Sequence, residues 1–207
     1  RFPEFVVNPS DVVRDYGADT LRLYEMFMGP LEVSKPWSDQ GVEGARRFLN
    51  RVWNFFTEAE NIVDGEVPAL EKLYHKSVKK ITEDFEKLAF NTAISQMMIF
   101  VNAVYKEGKC PKAYAEGMIK MLSCICPHIC EEIWEGLGNK GFCSVAEWPK
   151  YDEAKTVDST VEYAVQVLGK LRGTVVVNAD DQGAVDSVRG VEKPIFTFGT
   201  IQKGKIL

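Results

Sequence analysis

Four residues of the kinds that bind soft metals, Cys124, Cys126, His128 and Cys130, fall within seven positions of one another. Thiolates and imidazoles suit zinc, but the spacing works against a site. On a helix Cys126 and Cys130 share a face while Cys124 and His128 point elsewhere. No Cys-x-x-Cys pair is present. Apolar packing of the thiols is the expectation, with no metal. Glu131 and Glu132 could suggest acid–base work, yet consecutive helix positions point about 100° apart, so a solvated face is expected for both. Basic residues offer a different chemistry. Arg46, Arg47 and Arg51 crowd the polar side of one helical stretch, beside Asn50 and Asn54. Arg47 and Arg51 are four apart, present together and could clasp a phosphate backbone; ion pairing with Glu43 or Glu58 is the alternative. Lys170 and Arg172, two apart beside Gly169, could project toward one backbone. Lys72, Lys76, Lys79 and Lys80 interleave with Glu71, Glu83 and Asp84 and read as a mixed solvated surface.

These residues need elements to position them. Asn8-Pro9 sets an extended entry, Ser10 is placed to cap a first short helix, and Gly17 ends it. Asp19 can cap a second, with Leu21, Tyr24, Phe27 and Met28 on one face, stopped by Gly29-Pro30. From Gly44 the apolar period is helical. Ala45, Phe48, Leu49, Val52, Trp53 and Phe56 form one stripe. Leu70, Leu73, Tyr74, Ser77, Val78, Ile81, Phe85 and Leu88 form the next. A third, Phe90, Ala93, Ile94, Met97, Val101, Val104 and Tyr105, ends at Gly108. Pro111 opens a fourth helix with Ala115, Met118, Ile119, Leu122 and Ile125 inward, and Pro127 breaks the chain before a last one ended by Gly138. The pattern predicts an antiparallel bundle. Residues 145–149 read as extended and 151–158 as a polar linker. Beyond it the period changes: strands over 163–168 and 172–178 flank a turn at 168–171, followed by a weak helix over 180–189 and a strand over 195–198. The fold class is therefore mainly α, a helical bundle followed by a small α+β domain. The expected divisions are 1–43, 44–156 and 157–207.

The composition is that of an ordinary globular chain: 207 residues, 45% hydrophobic and 27% charged. No apolar run approaches the roughly 20 residues of a membrane span, and no secretory signal opens the chain, so a cytoplasmic location is expected. Five cysteines, an odd number without framework spacing, suit reduced thiols. The net charge of −5 means that any face for nucleic acid must be a local basic patch. Six basic and six acidic residues lie from Val157 onward, so the acidic excess is upstream.

The string Tyr16-Gly17-Ala18-Asp19-Thr20-Leu21-Arg22 resembles one shared by class Ia aminoacyl-tRNA synthetases. Its continuation, Leu23-Tyr24-Glu25-Met26-Phe27-Met28-Gly29-Pro30-Leu31-Glu32 and Ser34-Lys35-Pro36-Trp37, resembles the leucyl enzymes, in the segment after their Lys-Met-Ser-Lys-Ser loop. Residues 127–138, with Pro127-His128, Glu131-Glu132 and Trp134, are similar to a signature in the helical domain of these enzymes, and Glu147-Trp148-Pro149 matches what usually follows. Arg47-Phe48-Leu49-Asn50-Arg51-Val52-Trp53 resembles that domain's first helix, and residues 165–173 resemble the small C-terminal domain that docks on tRNA.

The resemblance implies a tRNA-binding C-terminal portion of a leucine–tRNA ligase, with an anticodon-binding-type helical domain. It implies leucine tRNA and the missing catalytic domain as partners, without DNA or membrane. Arg46, Arg47, Arg51, Lys170 and Arg172 are the candidate tRNA contacts. The parent enzyme would use ATP and Mg; this portion is expected to hold no cofactor and to be inactive alone, since neither a Lys-Met-Ser-Lys-Ser nor a His-Ile-Gly-His-like motif occurs. Residues 1–5 are read as a cloning remnant or the start of a natural short protein. The corresponding region of a valyl or isoleucyl enzyme, and a non-catalytic helical interaction module, are the rivals.

Overall fold

The computed structural model describes residues 7–157, 160–167 and 170–178, the last two stretches by their backbone. The chain divides into two compact units, Arg1–Thr156 and Val157–Leu207.

In the first unit, α1 (Pro9–Tyr16) begins with proline, whose fixed φ suits a first helical position. The cap therefore falls on the preceding residue, not on Ser10: Asn8 Oδ1 accepts the Ser10 N–H at 3.0 Å. Gly17, at φ 91°, turns the chain directly into α2 (Ala18–Phe27). This helix buries Thr20, Leu23 and Tyr24, whereas Phe27 is exposed, so its inward face is rotated from the expected one. Apolar residues nearly encircle α2, which left its period ambiguous.

Helix α3 (Asp39–Phe56) starts five residues before Gly44, capped by the Ser38 hydroxyl. Tyr24 packs close against Gly41 within it: a Cβ there would sit 2.6 Å from the Tyr24 ring. Then α4 (Pro68–Glu86), α5 (Phe90–Glu107), α6 (Lys112–Ser123) and α7 (Pro127–Gly136) complete the bundle. Gly108 and Gly138 close α5 and the turn after α7 with φ of 67° and 83°, the left-handed region that glycine enters without cost. A short parallel bridge joins β1 (Ile62–Val63) to β2 (Cys110–Pro111).

The core is apolar and continuous: Leu23, Val52, Ile81, Met97, Phe100 and Ile119 are among its fully enclosed side chains. Three further expectations fail here. Leu88 is not part of the stripe but an exposed residue beyond α4, at φ 56°. Asp84 is not solvated; only 4% exposed, it accepts from Lys80 Nζ at 2.5 Å and Thr92 Oγ1 at 2.7 Å, tying α4 to α5. Residues 151–157 are no free linker either. Glu153–Thr156 forms a 3-10 turn held to α4 by Lys79 with Glu153, Lys155 with Glu71 at 2.5 Å, and the Asp152 N–H donated to His75 Nδ1 at 3.1 Å.

In the second unit, β3 (Thr160–Val167) pairs antiparallel with β4 (Lys170–Asn178). Both strands are longer than expected, and Lys170 and Leu171 belong to the ladder, not to the turn. The register shifts between Val165 and Gln166, which face Gly173 and Leu171, so Arg172 is the extra residue of a bulge. The expected helix over 180–189 and strand over 195–198 lie outside the described residues.

Candidate nucleic-acid interface

The string 16–22 acts at the turn from α6 to α7. Helix α7 has no side-chain cap of its own at Cys126, and Asp19 supplies one from α2. Its Oδ2 accepts the Ile129 N–H at 2.7 Å, and its Oδ1 lies 2.8 Å from His128 Nδ1. One turn along α2, Arg22 donates through Nε to the Ile125 carbonyl at 2.6 Å and through Nη2 to the Cys124 carbonyl at 3.3 Å, at the end of α6. Each charge meets the helix end whose dipole it complements. Asp19 thus caps α7 and not α2, which opens from Gly17 without a side-chain cap. A carboxylate near a helix start is legible in sequence; which helix start it reaches is not. The role of Arg22 carried no separate signal.

Beside this clasp lies a cleft between α2, α3 and α7. Two neighbouring cavities of about 460 and 420 Å³ share Trp53, His128 and Ile129. Arg46 and Asn50 line the larger, and Glu131 and Glu132 the smaller. Trp53, expected in the core, is 42% exposed and forms a wall of the cleft. Phe56 is buried as expected, and Phe55 is buried in the place of Trp53, whose indole is left outward.

The three arginines of α3 are sent in different directions. Arg46 donates through Nη1 to the Tyr16 carbonyl at 2.6 Å, the same oxygen that accepts the Thr20 hydroxyl at 2.8 Å. Arg51 donates to Asn102 Oδ1 at 2.8 Å and lies 4.6 Å from the Tyr105 ring centroid. Arg47 points outward, its side chain 71% exposed, with Glu43 at 3.8 Å as its ion-pair partner among the described residues. An exposed pair of that length contributes little, so Arg47 can exchange Glu43 for a phosphate. Arg47 and Arg51 are therefore not a ready-made clasp: one is outward and the other packed on α5. Lys170 and Arg172 lie on β4 of the other unit, and their side chains are outside the described residues.

Of the clustered thiols two serve the core, whereas Cys124 is exposed and does not pack as expected. Cys126 and Cys130 are buried, and burial pushes both thiols up; Cys143 is raised to about 11, also by burial. Protonated thiols are poor ligands and nucleophiles. Among the described residues no group of three His, Cys, Asp or Glu side chains is placed to hold a metal ion. Glu131 corrects the solvated reading: its oxygens accept the Cys143 and Ser144 N–H groups at 2.7 and 3.0 Å, fixing a 3-10 turn at Cys143–Val145. Burial alone would raise this carboxyl, but the bonds from Ser144 and Cys143 outweigh it and hold it below its ordinary value. Glu132 is exposed.

Residues 69–188 match the family model described as the anticodon-binding domain of tRNA ligase. Among solved structures, the ternary complex of Agrobacterium radiobacter K84 agnB2 LeuRS with tRNA and LeuAMS matches with a TM-score of 0.70 at 26% identity. The match covers 90% of this chain and 26% of that one, so the chain spans about a quarter of that relative's length. The family match spans the resembling string at residues 127–138, and both findings agree with a helical fold of that kind. With the family model covering more than half of its residues, the chain belongs to the anticodon-binding domain family of tRNA ligases.

Proposed function

We propose that this chain is the tRNA-binding portion of a leucine–tRNA ligase, working beside a catalytic part that joins leucine to its tRNA at the expense of ATP. The observation that carries the reading is the likeness to a LeuRS bound to tRNA, which extends over 90% of the chain and both of its units. In this reading ATP and Mg²⁺ belong to the catalytic part, and no residue here is assigned to them. The chain alone is inactive in leucine-dependent pyrophosphate exchange, its partners are leucine tRNA and the catalytic domain rather than DNA or membrane, and it works in the cytoplasm.

The geometry supports local contact with RNA. Against a net charge of −5, attraction must come from a shaped basic patch rather than from the whole surface. Arg47 supports this reading with its outward side chain; Arg51 is packed on α5, and Arg46 uses one N–H on Tyr16 and keeps others for a ligand. Lys170 and Arg172 remain candidates on the hairpin.

A salt titration of binding to leucine tRNA tests the reading. Removing a phosphate contact lowers the magnitude of the log–log slope by about 0.7–0.9. Arg47→Ala and Lys170→Ala/Arg172→Ala are each expected to flatten the slope with the fold intact; competition by valine or isoleucine tRNA at equal strength would remove the leucine assignment. Absence of tRNA binding even at low salt would sink the proposal.

A further inference from the structure

On α3, Arg46, Asn50 and Trp53 stand at i, i+4 and i+7, one stripe along the helix, and all three line the same cavity. Trp53 is 42% exposed at the wall of both cavities, which leaves an indole surface open to a flat ligand. Across from it, His128 is 74% exposed in its side chain. Asp19 engages its Nδ1, which fixes the ring and leaves Nε2 as its other polar atom. Asp19 also lines this cavity and keeps its negative charge, its two oxygens turned to the Ile129 N–H and to His128 Nδ1, so an anion is held at the Arg46 side and away from the carboxylate. Arg46 uses Nη1 on Tyr16 and has further N–H donors in its guanidinium. Each cavity is large enough for a small molecule of nucleotide size.

We propose that this cleft seats one unstacked nucleotide of a bound RNA, its base stacked on Trp53, its edge meeting Asn50 and His128, and its phosphate at Arg46. An aromatic face for stacking, polar groups for a base edge and a cation for the backbone are what single-stranded RNA recognition requires. Glu131 and Glu132 place negative charge in the smaller cavity, and Arg46 is the cation that lines the larger one. The inference rests on the tRNA-binding reading above and adds to it a specific site for an extruded base.

The test uses the full 207-residue chain with three RNAs: leucine tRNA, a mixed-sequence single-stranded hexaribonucleotide, and a blunt duplex of matched charge. Trp53→Leu keeps an apolar side chain and removes the stacking face; Trp53→Phe keeps an aromatic ring. The single-stranded RNA is expected to quench tryptophan fluorescence of the parent chain. Its affinity should fall roughly ten-fold or more in Trp53→Leu and recover most of that loss in Trp53→Phe, with duplex binding unchanged in both. If the parent binds tRNA but Trp53→Leu binds tRNA and hexamer as the parent does, the base site is overturned, the tRNA reading stands, and the cleft is left to a protein contact. If the parent binds neither RNA, both readings fall.

Discussion

Replacing Asp19 tests the clasp between α2 and α7 most directly. The side chain is 8% exposed as a residue and makes two close contacts, to Ile129 N and His128 Nδ1. A hydrogen bond to a charged group contributes about 1.5–3 kcal/mol, and losing an N-cap costs roughly 0.5–2 kcal/mol. The two figures describe the same Ile129 bond and do not add. Since Ile129 is partly buried, water satisfies its N–H only in part after truncation, and Asp19→Ala should cost about 2–3 kcal/mol. Asp19→Asn keeps an acceptor and should cost about 1 kcal/mol or less. His128→Ala removes the other partner, but that side chain is 74% exposed, so its loss should stay within about 1 kcal/mol. Urea denaturation followed by far-UV circular dichroism gives all three, and amide exchange at Ile129 locates the effect. An Asp19→Ala variant within about 0.5 kcal/mol of the parent, the range of neutral surface changes, would refute the reasoning. So would a His128→Ala cost as large as that of Asp19→Ala.

Arg22→Ala removes two donors from the last carbonyls of α6 and should cost about 1–2 kcal/mol; because it shares the α6–α7 turn with Asp19, the double variant should depart from additivity, and strict additivity in the same urea experiment would show that the two ends are independent. Gly117→Ala should destabilise by about 1–3 kcal/mol despite alanine's better helix propensity, since its Cβ would lie 2.0 Å from the Tyr74 hydroxyl and 2.9 Å from Cζ of a ring stacked on Tyr114; a raised melting temperature would contradict this. Burial, then the Lys155 ammonium, lowers the His75 imidazole below its ordinary value against the pull of Glu71 and Asp152. Its folded pKa is thus below the unfolded one, near 6.5, so this contribution to stability is complete above about pH 6.5 and is lost as pH falls through the folded value. The protection factor of the Asp152 amide, which donates to His75 Nδ1, should fall as pH drops through that window, and a pH-independent protection factor would overturn the link.

Sequence alone fixed the helices, because their apolar stripes and their proline and glycine boundaries are local properties. Pro9, Pro111 and Pro127 mark starts, and Gly108 and Gly138 mark ends, for reasons contained in one or two residues. It also carried the family resemblance in residues 6–37 and 127–138. What it could not supply was the partner of each polar group. Asp19 looks like a cap for its own helix, Glu131 like a solvated carboxylate, Asp84 like part of a charged surface, and Trp53 like core. Each was decided by another segment: the start of α7, the turn at Cys143–Val145, Thr92 on α5 and the open cleft beside His128. The same holds for Arg47 and Arg51, whose spacing suggested a shared phosphate clasp until Asn102 and Tyr105 drew Arg51 away. Hydrogen bonds and ion pairs act over about 3 Å, and sequence gives proximity only along a helix or strand. Which distant groups come within that distance is settled when the helices pack.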